Sequence, residues 1–317
     1  LEQKYLVNLT GRRDGSSRFG PGKRFANFGA VGVGWLFYKE QFISKLIPAL
    51  SFGKIRASYG LTGNDQIGNY KYLNTWSSFY SYQGVPTLYP SALYNALYGW
   101  ETNKKFEAAL EIGLFNDRLY FSSSYFNNRS SNQLVSYALP LTTGFVEITR
   151  NFPALIQNKG LEFELTATPI KSKNFSWSSS INITIPSNKL LSFPGLSSSS
   201  YAVTYVEGKS LNLIYQLHSL GVDQNSGIFS FEDVDKDGIV QIPQDLKVNG
   251  STDPKYYGGF LNTVSLKQFE LNVFFDFKKQ TGLNYLYSIY GNTYLPGFIR
   301  HQPPYPLYRW PGPGPAP

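Results

Sequence analysis

The densest chemistry in the 317-residue sequence is DVDKDGIVQIPQD, Asp233 to Asp245. Asp233, Asp235 and Asp237 take alternate positions, and Gly238 follows at once. Hard divalent cations are held by oxygen ligands at this spacing, with a glycine for the sharp turn. On that template Ile239 would give its backbone carbonyl and Gln241 its side chain. The closing acid comes one residue late: Gln244 stands in its place and Asp245 follows. The first reading is a Ca2+ or Mg2+ clamp that stiffens a loop, with Asp233, Asp235, Asp237, Ile239, Gln241 and Asp245 as ligands. The competing reading is a solvated Asp/Gly turn. Both roles are structural, not catalytic.

Other constellations are thinner. His218 and His301 stand in separate segments, without an H-E-x-x-H, a G-x-S-x-G or a P-loop around them. Gly29, Gly32 and Gly34 lie inside a strand pattern with no helix after it, so they form no dinucleotide fingerprint. Glu162 and Glu164 sit two apart on one strand face and read as a charge pair on a wet surface rather than a glycosidase pair. No catalytic, cofactor-binding or substrate-binding residue is assigned, and the chain reads as a non-enzyme. Trp76, Phe79, Tyr80, Tyr82, Tyr89, Tyr94, Tyr98, Tyr201, Tyr205 and Tyr215 lie in loop-like stretches. They could stack on sugars or side chains, or pack loop against loop.

The elements that hold these loops are strands. Phe106, Ala108, Leu110, Ile112 and Leu114 alternate with Glu107, Glu111 and Gly113, the period of a two-faced strand. Asn116 and Asp117 turn the chain, and Leu119, Phe121 and Tyr125 mark the return. Leu161 to Thr168 and Phe175 to Ile185 make the clearest alternating pair, joined at Pro169 to Asn174. Further strands read at Tyr5 to Leu9, Val31 to Trp35, Ile55 to Tyr59, Tyr257 to Leu266 and Phe269 to Lys279. Tyr38 to Leu50 connects two of them and has room for a helical turn. Ser130 to Asn158 and Ser187 to Tyr256 read as long connections, as does the stretch after Leu61. That gives nine strands, with short and long connections in alternation.

Composition narrows the class. Hydrophobic content of 42% excludes a disordered chain, and charged content of 16% is low for a soluble one. Aromatic content is 17%, which suits the girdles of a membrane barrel. No run is apolar enough for a transmembrane helix, but barrel strands need only about 9–11 residues. The net charge of +8 is scattered, with no basic run interleaved with aromatics, so nucleic acid is not an expected partner. Cysteine is absent, which removes disulfides and thiolate sites. Methionine is absent too, so the sequence reads as a fragment. Short turns at one end and long loops at the other favour an outer-membrane barrel over a soluble carbohydrate-binding sandwich. On the barrel reading Glu107, Glu111, Glu162 and Glu164 face a wet lumen.

Several motifs in order then carry a resemblance. GRRDGSSRFGPGKRF holds an RxDGSSRFG-like loop at Arg12 to Gly20. GWLFYKEQF and GKIRASYGLTGND follow, at Trp35 to Phe42 and Ile55 to Asn64. Next come WETNKKFEAALEIGLFNDRLYFSSSYF (Trp100 to Phe126), LPLTTGF (Leu139 to Phe145), QNKGLEFEL (Gln157 to Leu165) and VEGKSL (Val206 to Leu211). DVDKDG and DPKYYGGFLN complete the series, between Asp233 and Asn262. The chain resembles the SusC/RagA family of TonB-linked outer-membrane transporters. The ending RWPGPGPAP departs from that pattern.

The resemblance implies an all-β fold: part of a large antiparallel transmembrane β-barrel of about 22 strands with a plug. About nine strands and their long extracellular loops would be present here. Residues 1–280 would be barrel wall and loops, with the acidic loop inside 187–256, and residues 281–317 an extracellular loop and tail. It further implies a SusD-like lipoprotein lid, outer-membrane lipid around the wall, and a TonB complex acting through an N-terminal part outside this sequence. The cargo would be a glycan or peptide, and the location the outer membrane of a Gram-negative bacterium, crossed many times. The alternative is a surface β-protein used for adhesion or structure, without transport.

Overall fold

The structure, a computed structural model, describes residues 3–282 apart from residue 79. The tail expected at 281–317 therefore lies outside the described residues from position 283 onward. Two compact units divide the described residues: 3–211 with 254–279, and 212–253 with 280–282.

The first unit is built on one nine-stranded sheet in sequence order. Its strands are β1 (Tyr5–Gly15), β2 (Phe25–Trp35), β3 (Leu50–Asn64), β4 (Glu101–Leu114) and β5 (Leu119–Ala138), then β6 (Glu147–Lys171), β7 (Phe175–Ser192), β8 (Pro254–Leu266) and β9 (Phe269–Gln280). Neighbours from β1 to β8 pair antiparallel. The nine strands read from alternation are these nine.

Register makes the alternation two-dimensional. Val7, Val33, Ala57, Ala108, Tyr125, Leu161 and Ile185 stand opposite one another across seven strands. A second row runs through Tyr5, Trp35, Ile55, Leu110, Ser123, Phe163 and Ile183. Among the described residues most of this apolar face is left uncovered: Leu9 is 74% exposed and Leu271 61%. Each such side chain left in water would forgo roughly 1.5–3 kcal/mol of burial. A band this wide is a surface made for an apolar medium. The opposite face carries the charges.

Short connections lie at one end. β4 turns into β5 through Phe115, Asn116 and Asp117, all with φ near +60°. Asn and Asp tolerate that left-handed region better than most residues. The Asp117 carboxylate accepts from the Ser51 hydroxyl at 2.7 Å, which ties the turn to β3. The β2–β3 connection is longer and holds a 3-10 turn, Phe37–Lys39, and a helix, α1 (Gln41–Leu46).

The other end differs from expectation in one respect. Ser130 to Asn158 is not a long loop: β5 runs on to Ala138 and β6 begins at Glu147. Ladder hydrogen bonds hold this extension in register from Glu147 opposite Ala138 down to Phe152 opposite Gln133. Here apolar residues alternate only in short stretches, Val135 and Tyr137 on β5 and Phe152, Ala154 and Ile156 on β6, set between polar residues and Pro153. The pattern is too short to mark a strand while the backbone pairing continues.

The apolar core of this unit sits at that same end, on the strands' extensions. Phe152, Ala154, Leu190 and Phe193 are buried together, with Tyr137, Tyr201 and Tyr205 packed on them. The Arg150 guanidinium lies 4.6 Å from the Phe152 ring and 5.0 Å from the Tyr137 ring. The Tyr201 hydroxyl donates to the Ser136 carbonyl and closes the cluster.

The second unit contains two small ribbons, Leu213–Leu217 with Leu246–Ser251 and Ser219–Val222 with Phe229–Phe231. Residues 212–253 are thus a body of their own within the span first read as one loop, 187–256.

Candidate functional site

The polar face of the sheet is one part of the site. Arg56 on β3 stands opposite Ala109 on β4, between Glu107 and Glu111. The small Ala109 leaves room for the guanidinium to reach both acids. Arg56 Nε donates to Glu111 Oε1 at 2.9 Å and Nη1 to Glu107 Oε1 at 2.5 Å. Lys54 Nζ lies 3.8 Å from the same Glu111 oxygen. Glu162 on β6 accepts from the Ser124 hydroxyl at 3.1 Å. Glu164 follows it on the same face, opposite Ser122 and Asn182. The four glutamates read as lumen-facing therefore share one face, and alternation alone had identified it. What it had not identified was Arg56 as the bridge between Glu107 and Glu111. The signal was available in parity, because Arg56 shares a face with Lys54 and Ser58.

A groove of about 490 Å3 opens in this face, lined by Ser58, Thr62, Lys105, Glu107, Phe126 and Glu162 among others. It offers both charge signs, hydroxyls and the Phe126 ring. Such a lining can hold a polar solute by hydrogen bonds.

A packed loop collar stands at the long-loop end of β1 to β4. Phe19, from the RDGSSRFG stretch, is fully buried against the Trp100 ring at 5.2 Å. Trp100 also meets Phe28 edge-on at 5.5 Å and donates from Nε1 to the Arg24 carbonyl at 3.3 Å. Arg18 donates to the Asp65 carbonyl at 3.1 Å and to Asn69 at 3.2 Å. Asn151 exchanges two hydrogen bonds with the Gly99 backbone, at 2.8 and 2.9 Å. The motif loop is a structural clamp on the 65–100 loop.

The loop aromatics divide accordingly. Tyr98 is buried, and Tyr201 and Tyr205 belong to the core cluster. Trp76, Tyr80, Tyr82 and Tyr94 keep exposed rings, with the Tyr80 ring tilted against that of Tyr89 at 5.1 Å. Phe79 lies outside the described residues.

The acidic loop belongs to the second unit. Carboxylate oxygens of Asp233, Asp235 and Asp237 lie within 4.8 Å of one another. Their other contacts fold the turn. Asp233 accepts from the backbone N–H of Lys236 at 2.7 Å and of Gly238 at 2.8 Å. Asp237 accepts from the Ile239 N–H at 2.8 Å, and the Gln241 amide donates to Asp237 at 3.0 Å. Lys236 and Gly238 both have positive φ, 61° and 86°, as so sharp a turn requires. Desolvation pushes the Asp235 carboxyl up, and the neighbouring charges of Asp237 and Asp245 add to the push.

Asp245 is not among the three converging acids. It is fully buried, and its two oxygens accept from the backbone N–H groups of Gln241 at 2.7 Å and Val234 at 2.6 Å. Those bonds hold its carboxyl below the usual range. Asp245 organises the loop from inside. Ca2+ is held by several oxygens at about 2.3–2.6 Å, and of the six expected ligands the three aspartates at 233, 235 and 237 are those whose side-chain oxygens converge.

Near it, Glu232 accepts from Lys247 Nζ at 2.6 Å and pairs with His218 Nδ1 at 2.5 Å. Sequence reasoning missed this group because its members are 14 and 15 residues apart.

Comparison with known proteins agrees with this geometry. The family model described as "TonB dependent receptor-like, beta-barrel" matches residues 1–309. The TonB-dependent receptor SusC of Bacteroides thetaiotaomicron is 31% identical over 310 residues, 90% of this chain and 30% of that protein. The TonB-dependent receptor P39 of Formosa agariphila is 32% identical over 226 residues, 70% of this chain and 21% of that protein. The solved RagAB peptide transporter superposes with a TM-score of 0.76 at 26% identity, covering 86% of this chain and 31% of the other. The chain thus spans no more than about a third of the length of these relatives. With its apolar outer face, polar inner face and ordered motifs, the chain belongs to the TonB-dependent receptor β-barrel family, on the SusC/RagA side of it.

Proposed function

We propose that this chain is the later part of the barrel wall of an outer-membrane importer driven by TonB. It works with a SusD-like surface lipoprotein as lid and takes up an oligosaccharide or a peptide. The observation that carries this reading is the two-faced sheet: one uncovered apolar face, and behind it a grooved polar face with Arg56, Glu107, Glu111 and Glu162. A wall of that kind separates lipid from a wet passage. The peptide alternative draws support from the RagAB likeness, and the exposed rings of Trp76, Tyr82 and Tyr94 suit either cargo. No bond is broken here; the long loops seat the lid and shape the outer part of the passage. The test is purification of the full-length receptor from a Gram-negative outer membrane, with cargo uptake measured in cells with and without TonB. Co-purification of a lipoprotein and TonB-dependent uptake are expected. A surface location with uptake unchanged on deletion would favour adhesion instead.

Within the loops, we propose that Asp233, Asp235 and Asp237 take one Ca2+ or Mg2+ ion. Three carboxylates converging within 4.8 Å support this. The ion would stiffen the loop and play no part in moving cargo.

A further inference from the structure

The β2–β3 connection is unlike the other short-end connections among the described residues. Those at 115–118, 172–174 and 267–268 are tight turns, whereas this one carries α1. Phe42 and Leu46 lie one helical turn apart on α1, and both are exposed, as is Ile47 just after it. Three exposed large apolar side chains in six residues are a poor choice for a turn in water.

Their position is fixed by neighbouring contacts. Trp35 ends β2 on the apolar face, opposite Tyr5 on one side and Ile55 on the other. Gly53 shares that face with Ile55 by parity. A Cβ on Gly53 would collide with the Phe37 ring, so Phe37 covers the apolar face at Gly53. Its ring lies 5.9 Å from that of Trp35. Glu40, at the start of α1, accepts from Lys4 Nζ at 3.2 Å, Tyr5 Oη at 3.2 Å and Trp35 Nε1 at 3.3 Å. The helix is therefore stapled to the rim of the apolar face, at the ends of β1 and β2. The Glu40 charge is engaged in that staple, and Lys45 adds an exposed positive charge in the last turn.

We propose that α1 is an interfacial anchor. Phe42, Leu46 and Ile47 enter the boundary between headgroups and acyl chains of the leaflet on the short-turn side, and Lys45 meets lipid phosphate. The occupant follows from continuity: the apolar face of a membrane barrel already meets lipid, and Trp35, Phe37 and α1 extend that face without a break. Amphipathic helices with a basic flank bind anionic lipid surfaces in this way, and a lysine stem can reach up from such a site.

The test uses the full-length receptor in nanodiscs of phosphatidylethanolamine and phosphatidylglycerol. This segment contains no cysteine, so Phe42→Cys, Ser44→Cys and Leu46→Cys can each carry one nitroxide once any cysteines elsewhere in the full chain are replaced. Collision with O2 reports lipid, and collision with a water-soluble nickel chelate reports solvent. A several-fold higher O2-to-nickel ratio is expected at 42 and 46 than at 44, which lies on the opposite side of the helix. Equal nickel access at all three positions would overturn the proposal, as would exclusion of both reagents at 42 and 46, which would mean a protein partner. Should these variants fail to assemble, the unmodified receptor can be photolabelled with a diazirine phospholipid. Labelling of the 40–47 peptide is then expected, and its absence would overturn the anchor.

Discussion

The Phe19 ring lies 5.2 Å from the Trp100 ring, and no part of Phe19 meets solvent. Two loops far apart in sequence are joined through that contact. Phe19→Ala removes a fully buried aromatic, a change worth about 3–5 kcal/mol in a packed site. The expected outcome is faster hydrogen exchange and proteolysis in the 65–78 stretch, with the sheet intact. Unchanged protection there would show that the clamp is not what orders the loop.

The Arg56 bridge predicts coupling. Glu107 and Glu111 are held by one guanidinium, so Arg56→Met should weaken the wall more than Arg56→Met adds in a Glu107→Gln, Glu111→Gln background. A double-mutant cycle should return about 0.5–3 kcal/mol, toward the lower end because Arg56 and Glu107 keep some solvent. Additive effects would show that the bridge contributes nothing.

Leu110 and Ser124 separate the two faces. Leu110→Arg places a charge on the apolar face and should cost about 2–4 kcal/mol of folding into bilayers if it lies near the midplane. Ser124→Arg, beside Glu162 on the polar face, should cost much less. Similar costs for both would contradict the assignment of faces.

Acid should loosen the acidic loop late. Backbone N–H groups, first from Gln241 and then from Val234, lower the Asp245 carboxyl. Lys247, followed by His218, lowers that of Glu232. A carboxyl lowered on folding contributes stability that is complete above its ordinary value, about 3.9–4.3, and is lost as pH falls through its lowered value. Proteolysis of the 232–246 stretch by an acid-active protease should thus stay flat down to about pH 4 and rise below it. Asp245→Ala should expose the stretch already at neutral pH.

Asp235 has the opposite sign. Its raised carboxyl disfavours the folded loop once pH exceeds the ordinary carboxylate range, unless a cation offsets the charge. Asp235→Asn should therefore firm the metal-free loop at neutral pH while weakening Ca2+ binding in calorimetry of the EDTA-treated protein. If the unmodified protein takes up no Ca2+ or Mg2+, the cation reading of Asp233, Asp235 and Asp237 fails.

The sequence by itself determined the sheet. Where one face meets an apolar medium and the other a wet one, side chains must alternate, and Leu110 against Glu111 or Leu161 against Glu162 records that demand in every second residue. The short turns were equally legible, because Asn116 and Asp117 suit left-handed backbone. Tertiary structure decided what lies beyond the apolar slab. β5 and β6 continue past Asn128 and Asn158 through ladder bonds that any sequence can make, and the few alternating residues there, such as Phe152 and Ala154, are too short a pattern to mark them. Phe19 and Trp100, Arg56 and its two glutamates, and the sealed Asp245 are each defined by partners distant in the chain or by a loop closing on itself. Alternation reports the medium on each side of a strand. It holds no information about which residue of another loop will fill a given space, and that is settled only when the chain is packed.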